Sequence, residues 1–99
     1  MKDLSEAKQE LVKSLVKNKK FHQLEFEVNS LLLEKRSPFL LNLLGVSKIS
    51  KVPTSKKDLN ESLDLFKEAY LKDRTLTDAL FNYAEISIRL LKYDEAKDL

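Results

Sequence analysis

His22 is the only histidine in the 99 residues, and so the only side chain whose ordinary pKa sits near neutrality. It opens a helical stretch beside Phe21 and reads as a surface or capping residue, not as a base or ligand. No Ser/His/Asp arrangement accompanies it. A single glycine rules out a glycine-rich phosphate loop, and the absence of cysteine rules out a thiolate metal site. The acidic pairs Asp94-Glu95 and Glu25/Glu27 read as solvated helix faces. These residues support no catalytic site, cofactor or metal, and the chain is expected not to be an enzyme. Lysines cluster at Lys13, Lys17, Lys19 and Lys20 and again at Lys48, Lys51, Lys56 and Lys57. Together they would form a basic rim able to meet phosphate or an acidic partner. The chain has 15 Lys against 3 Arg, whereas specific phosphate recognition favours arginine.

The totals agree. A net charge of +2 is small for a nucleic-acid binder, so no nucleic-acid partner is expected. One Gly and two Pro are too few for the many turns of a β-sandwich or barrel, but they suit helices joined by short links. Cysteine-free composition gives no disulfide framework. No stretch reaches the roughly 18 apolar residues of a membrane span, and the first ten residues lack the apolar run of a signal peptide. The expectation is a cytoplasmic chain without a membrane partner.

Six helical segments follow from apolar positions recurring at about 3.6 residues. The first covers about 4–18, with Ala7, Leu11, Val12, Leu15 and Val16 on one face. The second covers about 22–34, with Leu24, Val28, Leu31 and Leu32. Ser37-Pro38 opens the third, Ser as N-cap and Pro in the first turn; it carries Leu40, Leu41, Leu44, Gly45 and Ile49 and fades near Lys51. A loop stopped by Pro53 leads to Ser55, which with Asp58 forms the pattern of a capping box. The fourth helix then runs over about 56–72 with Leu59, Leu63, Phe66, Ala69 and Tyr70. The fifth runs over about 76–91, and a sixth begins near Tyr93.

These segments repeat. Leu41-x2-Leu44-Gly45 is followed by Ser62-x3-Phe66 with Ala69; Leu80-x2-Tyr83-Ala84 then repeats the first half, and Tyr93-x2-Ala96 restarts the second. Ser62 and Ala96 stand 34 residues apart, and Leu41 and Leu80 stand 39 apart, the excess falling in the loop at 51–57. Upstream, Leu11-Val12 precedes Leu44-Gly45 by 33 residues, and Phe21-x2-Leu24 mirrors Tyr93-x2-Ala96. Over its whole length the chain resembles the tetratricopeptide-repeat family. The resemblance implies an all-α fold, a right-handed α-α superhelix of stacked antiparallel helix pairs. One domain, 1–99, would hold units at about 5–37, 38–76 and a truncated 77–99. Small residues belong where paired helices approach closely: Gly45 and Ala84 on first helices, Ser62, Ala69 and Ala96 on second ones. The chain departs from the family pattern at Val12, which replaces a small residue. Lys48 and Ser87 replace aromatics, and Arg74 stands where a closing proline is common, leaving a less rigid turn.

In this family the first helix of each unit lines a concave groove that takes a peptide or a partner helix. By resemblance the groove residues here are Gln9, Lys13 and Val16, then Asn42, Val46 and Ile49, then Asp78, Phe81, Asn82, Glu85 and Arg89. One subgroup grips chaperone carboxylate tails with cations, but this chain offers Asp78 and Glu85 at those places, so that ligand is not expected. The resemblance implies a non-catalytic protein-interaction scaffold. The alternative is the N-terminal repeat segment of a larger bacterial glycosyltransferase, sulfotransferase or methyltransferase. Either way the uncovered C-terminal end offers a surface for self-association.

Overall fold

An apolar stripe on a helix is stabilised by a neighbour that covers it, and each described helix in this chain buries apolar side chains against the helix next to it in sequence. The computed structural model describes residues 6–51 and 53–98, apart from the side chains of residues 96–98. Among them are five helices and no strand: α1 (Glu6–Lys17), α2 (Phe21–Leu32), α3 (Pro38–Ile49), α4 (Lys56–Lys72) and α5 (Thr77–Asp98). Ion pairs set the directions from α2 onward. Lys48 late in α3 reaches Glu25 early in α2 and Glu61 early in α4, and Lys56 at the start of α4 reaches Asp94 late in α5. From α2 to α5, consecutive helices therefore run antiparallel. The extents of 49 × 28 × 21 Å are those of a row of helices. No described helix is long and apolar enough to cross a membrane.

Local chemistry explains most of the boundaries. Ser55 Oγ accepts from Asp58 N at 3.0 Å while Ser55 N donates to Asp58 Oδ2 at 3.3 Å, completing the expected capping box at the start of α4. Thr54 Oγ1 donates to Lys51 O at 2.6 Å and braces the preceding loop. Ser37 occupies the N-cap of α3 in extended backbone with Pro38 next, but its side chain is buried and does not cap the helix. Between α1 and α2, Lys19 takes φ 57°. Lys19 N donates to Val16 O and Lys20 N to Leu15 O, the paired closure that usually places glycine at this position. The turn before α5 is not left loose by Arg74: Asp73 Oδ1 accepts from Thr75 N at 3.0 Å and Thr75 Oγ1 at 2.6 Å, and the Arg74 guanidinium lies 5.1 Å from the Tyr70 ring centre.

Two expectations need correction. The sequence reading breaks the chain between a fifth helix ending at Leu91 and a sixth beginning near Tyr93, but α5 runs through unbroken for 22 residues. No Gly or Pro interrupts 89–95, and Asp94 caps a helix only where the backbone leaves helical geometry. Instead the Asp94 carboxylate accepts from Lys56 Nζ at 2.7 Å, and that ammonium lies 5.7 Å from the Tyr93 ring centre. The residues that read as the opening of a new helix hold α5 onto α4. In consequence Ala84, expected at a close helix–helix approach, is exposed. Ala96, expected as a small packing residue, has its side chain outside the described residues, as do residues 1–5 at the expected start of the first helix.

The core joins two clusters. Val12, Leu24, Val28, Leu40 and Leu41 unite α1 to α3, with Ala69 and Ala79 beneath them; Leu59, Phe66 and Ile86 unite α4 and α5. Gly45 is required where α3 meets α4. A Cβ placed there would lie 2.5 Å from Phe66 Cε1, and Phe66 is fully buried, so its ring has little room to retreat. Small buried residues beside this contact keep their polar atoms satisfied: Ser47 Oγ donates to Leu44 O at 2.7 Å and Ser62 Oγ to Leu59 O at 2.9 Å.

Candidate partner-binding surface

Val12 and Val16 stand one turn apart on α1, with Lys13 and Lys17 beside them, and Phe39 and Leu43 stand one turn apart on α3. The fold turns these pairs toward each other. They line a cavity of about 270 Å³ between α1 and α3, whose walls are Val12, Lys13, Val16, Lys17, Phe39 and Leu43. Val12 is buried; Val16, Phe39 and Leu43 are half-buried; Lys13 and Lys17 are exposed. The result is an apolar slot with two ammonium groups at its edge, their aliphatic stems adding to the apolar wall. No protein-family model, curated protein or solved structure matches the chain. The functional reading therefore rests on this geometry and on the repeat pattern.

The other expected groove residues are distributed along α3 and α5. Asn82 Nδ2 donates to Asn42 Oδ1 at 3.1 Å, across 40 residues of sequence, so these two amides of α5 and α3 do meet. Val46 and Ile49 are half-buried and pack against the cluster of Leu59, Phe66 and Ile86, where they serve the core. Phe81 is 71% exposed, Glu85 is exposed and Arg89 is half-buried. Lys13 shares its slot with none of these. The sequence reading missed Lys17, Phe39 and Leu43 as slot residues, although Phe39-x3-Leu43 carries the one-turn spacing that marks a paired face. On the opposite flank of α1, Leu11, Leu15, His22, Gln23, Phe26 and Glu27 surround a wider hollow of about 440 Å³. Its lining mixes apolar and polar groups, and His22 stands exposed at its side. The smaller slot combines a nearly unbroken apolar lining with charge of one sign, which is what orients a ligand as well as holding it.

Electrostatics divide the expected basic rim in two. Glu25, which reads as solvated in the sequence, is half-buried and bridges Lys48 at 3.3 Å and Lys51 at 3.0 Å. Burial pushes its carboxyl up, but hydrogen bonds and charge from Lys51 and Lys48 outweigh this and hold the pKa below the ordinary carboxylate value. Lys48 also meets Glu61 at 3.2 Å, Lys51 meets Asp58 at 3.6 Å, and Lys56 is taken by Asp94. Lys51 is in turn raised, chiefly by its hydrogen bond to Glu25. Three of the four lysines in the second cluster thus tie α2, α3, α4 and α5 together. Those of the first cluster are all exposed, Lys13 and Lys17 at the slot and Lys19 and Lys20 just beyond the end of α1. Of the expected rim, Lys57 stays exposed on α4, and the other exposed lysines gather on and just after α1.

Proposed function

We propose that this chain is a non-catalytic protein-interaction scaffold, its helices stacked as a right-handed superhelix of the tetratricopeptide type. The slot between α1 and α3 holds a peptide segment of the partner. The observation that carries this reading is the slot itself: apolar side chains of α1 and α3 facing one another, with Lys13 and Lys17 among its walls. Such a surface selects a segment whose apolar side chains are flanked by carboxylates. Burial of the apolar groups supplies affinity at about 25 cal/mol per Å² removed from water, and the lysines steer the approach and fix the register. A cytoplasmic address belongs to the proposal and rests on the cysteine-free composition.

Selection from a displayed random-peptide library against the purified chain tests the reading. Enriched segments should carry apolar residues next to Asp or Glu, and reversing both charges, Lys13→Glu with Lys17→Glu, should weaken their binding several-fold or more while leaving helix content intact. Enrichment without acidic residues, or binding indifferent to the two reversals, would contradict it.

A further inference from the structure

The side of α5 turned away from α4 presents a second surface, independent of the slot. Its buried side carries Ala79 and Ile86, with Tyr83 and Leu90 packed beside them. Opposite them Leu80, Phe81, Ala84, Ile88 and Leu91 recur at three- and four-residue steps. Leu80 is 42%, Phe81 71%, Ile88 54% and Leu91 63% exposed. This spacing is the seam that one helix offers another.

We propose that the occupant is a second copy of this chain, α5 lying antiparallel on α5 about a two-fold axis at the level of residue 86. An isologous contact has to be self-complementary, and this stripe is so in one orientation. With the axis at that level, Ala84 of one copy lies opposite the partner's Ile88, and Leu80 and Phe81 lie opposite the partner's Leu91. Small meets large, and apolar meets apolar along the whole stripe. The flanking charges agree. Asp78 and Lys92, both exposed, border the same side of the stripe, one toward each end of α5. Antiparallel pairing brings Asp78 within two residues, about 3 Å of helix rise, of the partner's Lys92 at both ends of the seam, close enough for the long lysine side chain to reach the carboxylate. Parallel pairing would instead set Asp78 beside the partner's Asp78 and Lys92 beside the partner's Lys92. Glu85 approaches its own copy near the axis, with Arg89 one turn along on each helix to offset the repulsion. A different protein would need none of this internal symmetry.

Sedimentation equilibrium of the full chain, from about 1 μM to 1 mM, tests the proposal. The expected result is a monomer–dimer equilibrium that Ile88→Glu weakens by about tenfold or more, as for a central apolar anchor. Circular dichroism should show unchanged helix content in that variant, because Ile88 lies outside the core. Asp78→Lys and Lys92→Asp should each weaken the dimer several-fold, and the double reversal should restore it. The reversal pair adds no charge to the apolar seam and tests the orientation even if Ile88→Glu proves unstable. A monomer at every concentration would overturn the proposal, and so would a dimer that the double reversal fails to restore. A mass that keeps rising with concentration would mean head-to-tail contact with the hollow beside Phe26, and would overturn it equally.

Discussion

The contact between α3 and α4 and the outer face of α5 stand at opposite extremes of packing. At the first, Gly45 lies so close to Phe66 that a single added carbon has no room, and the neighbouring serines satisfy their own hydroxyls within the helix. At the second, Ala84 is exposed among apolar side chains that no other described helix covers. In the repeat pattern Gly45 and Ala84 occupy equivalent positions. The difference lies in the path of the chain beyond each of them: α4 turns back to cover Gly45, whereas α5 continues straight and no described helix returns over Ala84. An equivalent place in the sequence pattern therefore does not make an equivalent contribution to stability, because the contribution comes from the covering helix.

The largest expected effect sits at the closed end of this comparison. Phe66→Ala removes a fully buried ring and should cost about 3–5 kcal/mol in chemical denaturation. Gly45→Leu should come next, costing about 1–3 kcal/mol or more by forcing α3 from α4. Its counterpart Ala84→Leu should stay within about 0.5 kcal/mol when measured at concentrations where the chain is monomeric, as at an uncovered surface site. Equal losses from the two leucine variants would break the comparison and imply a covered Ala84. Near the α1–α2 turn, Lys19→Gly should raise stability by about 1 kcal/mol, since φ 57° costs a side chain that glycine does not have. Melting curves measure that gain.

Acid should sharpen the contrast. Glu25, Glu68 and Asp58 all have pKa values lowered in the folded chain: Glu25 by Lys51 and Lys48 against its burial, Glu68 chiefly by Arg36, Asp58 chiefly by Ser55. A lowered folded pKa stabilises above the unfolded value, and the stabilisation is lost as pH falls through the carboxylate range around about 4. All three groups lie on α2 and α4, so denaturation midpoints should fall below that pH. Glu25→Gln should make the fall shallower, and an unchanged slope would remove Glu25 from the account.

The helices and their order were legible because each carries its own stripe, cap or proline: the capping box at Ser55 and the apolar period of α4 needed no outside information. The end of α5 was not legible. Lys92-Tyr93-Asp94 suits either a turn or a helix locally, and the choice is made by Lys56, which lies 38 residues from Asp94 and binds both Tyr93 and Asp94. The candidate site was legible only in part, for a similar reason. Lys13, Asn42 and Asn82 lie on α1, α3 and α5, within the helices their apolar periodicity marked, but whether Val46 and Ile49 face a groove or the core depends on how α3 is rotated against α4. That rotation is set by Gly45 and Phe66. Glu25 looked solvated because the lysines that claim it, Lys48 and Lys51, stand at the far end of the next helix and just beyond it.

The slot between α1 and α3 is the central functional claim, and methyl-detected NMR tests it most directly. A segment selected for binding, with apolar residues flanked by carboxylates, is titrated into the labelled chain. The account predicts shifts at the methyl groups of Val12, Val16 and Leu43, with those of Leu80, Ile88 and Leu91 unmoved. Shifts confined to the α5 methyl groups, or none at saturating peptide, would contradict it.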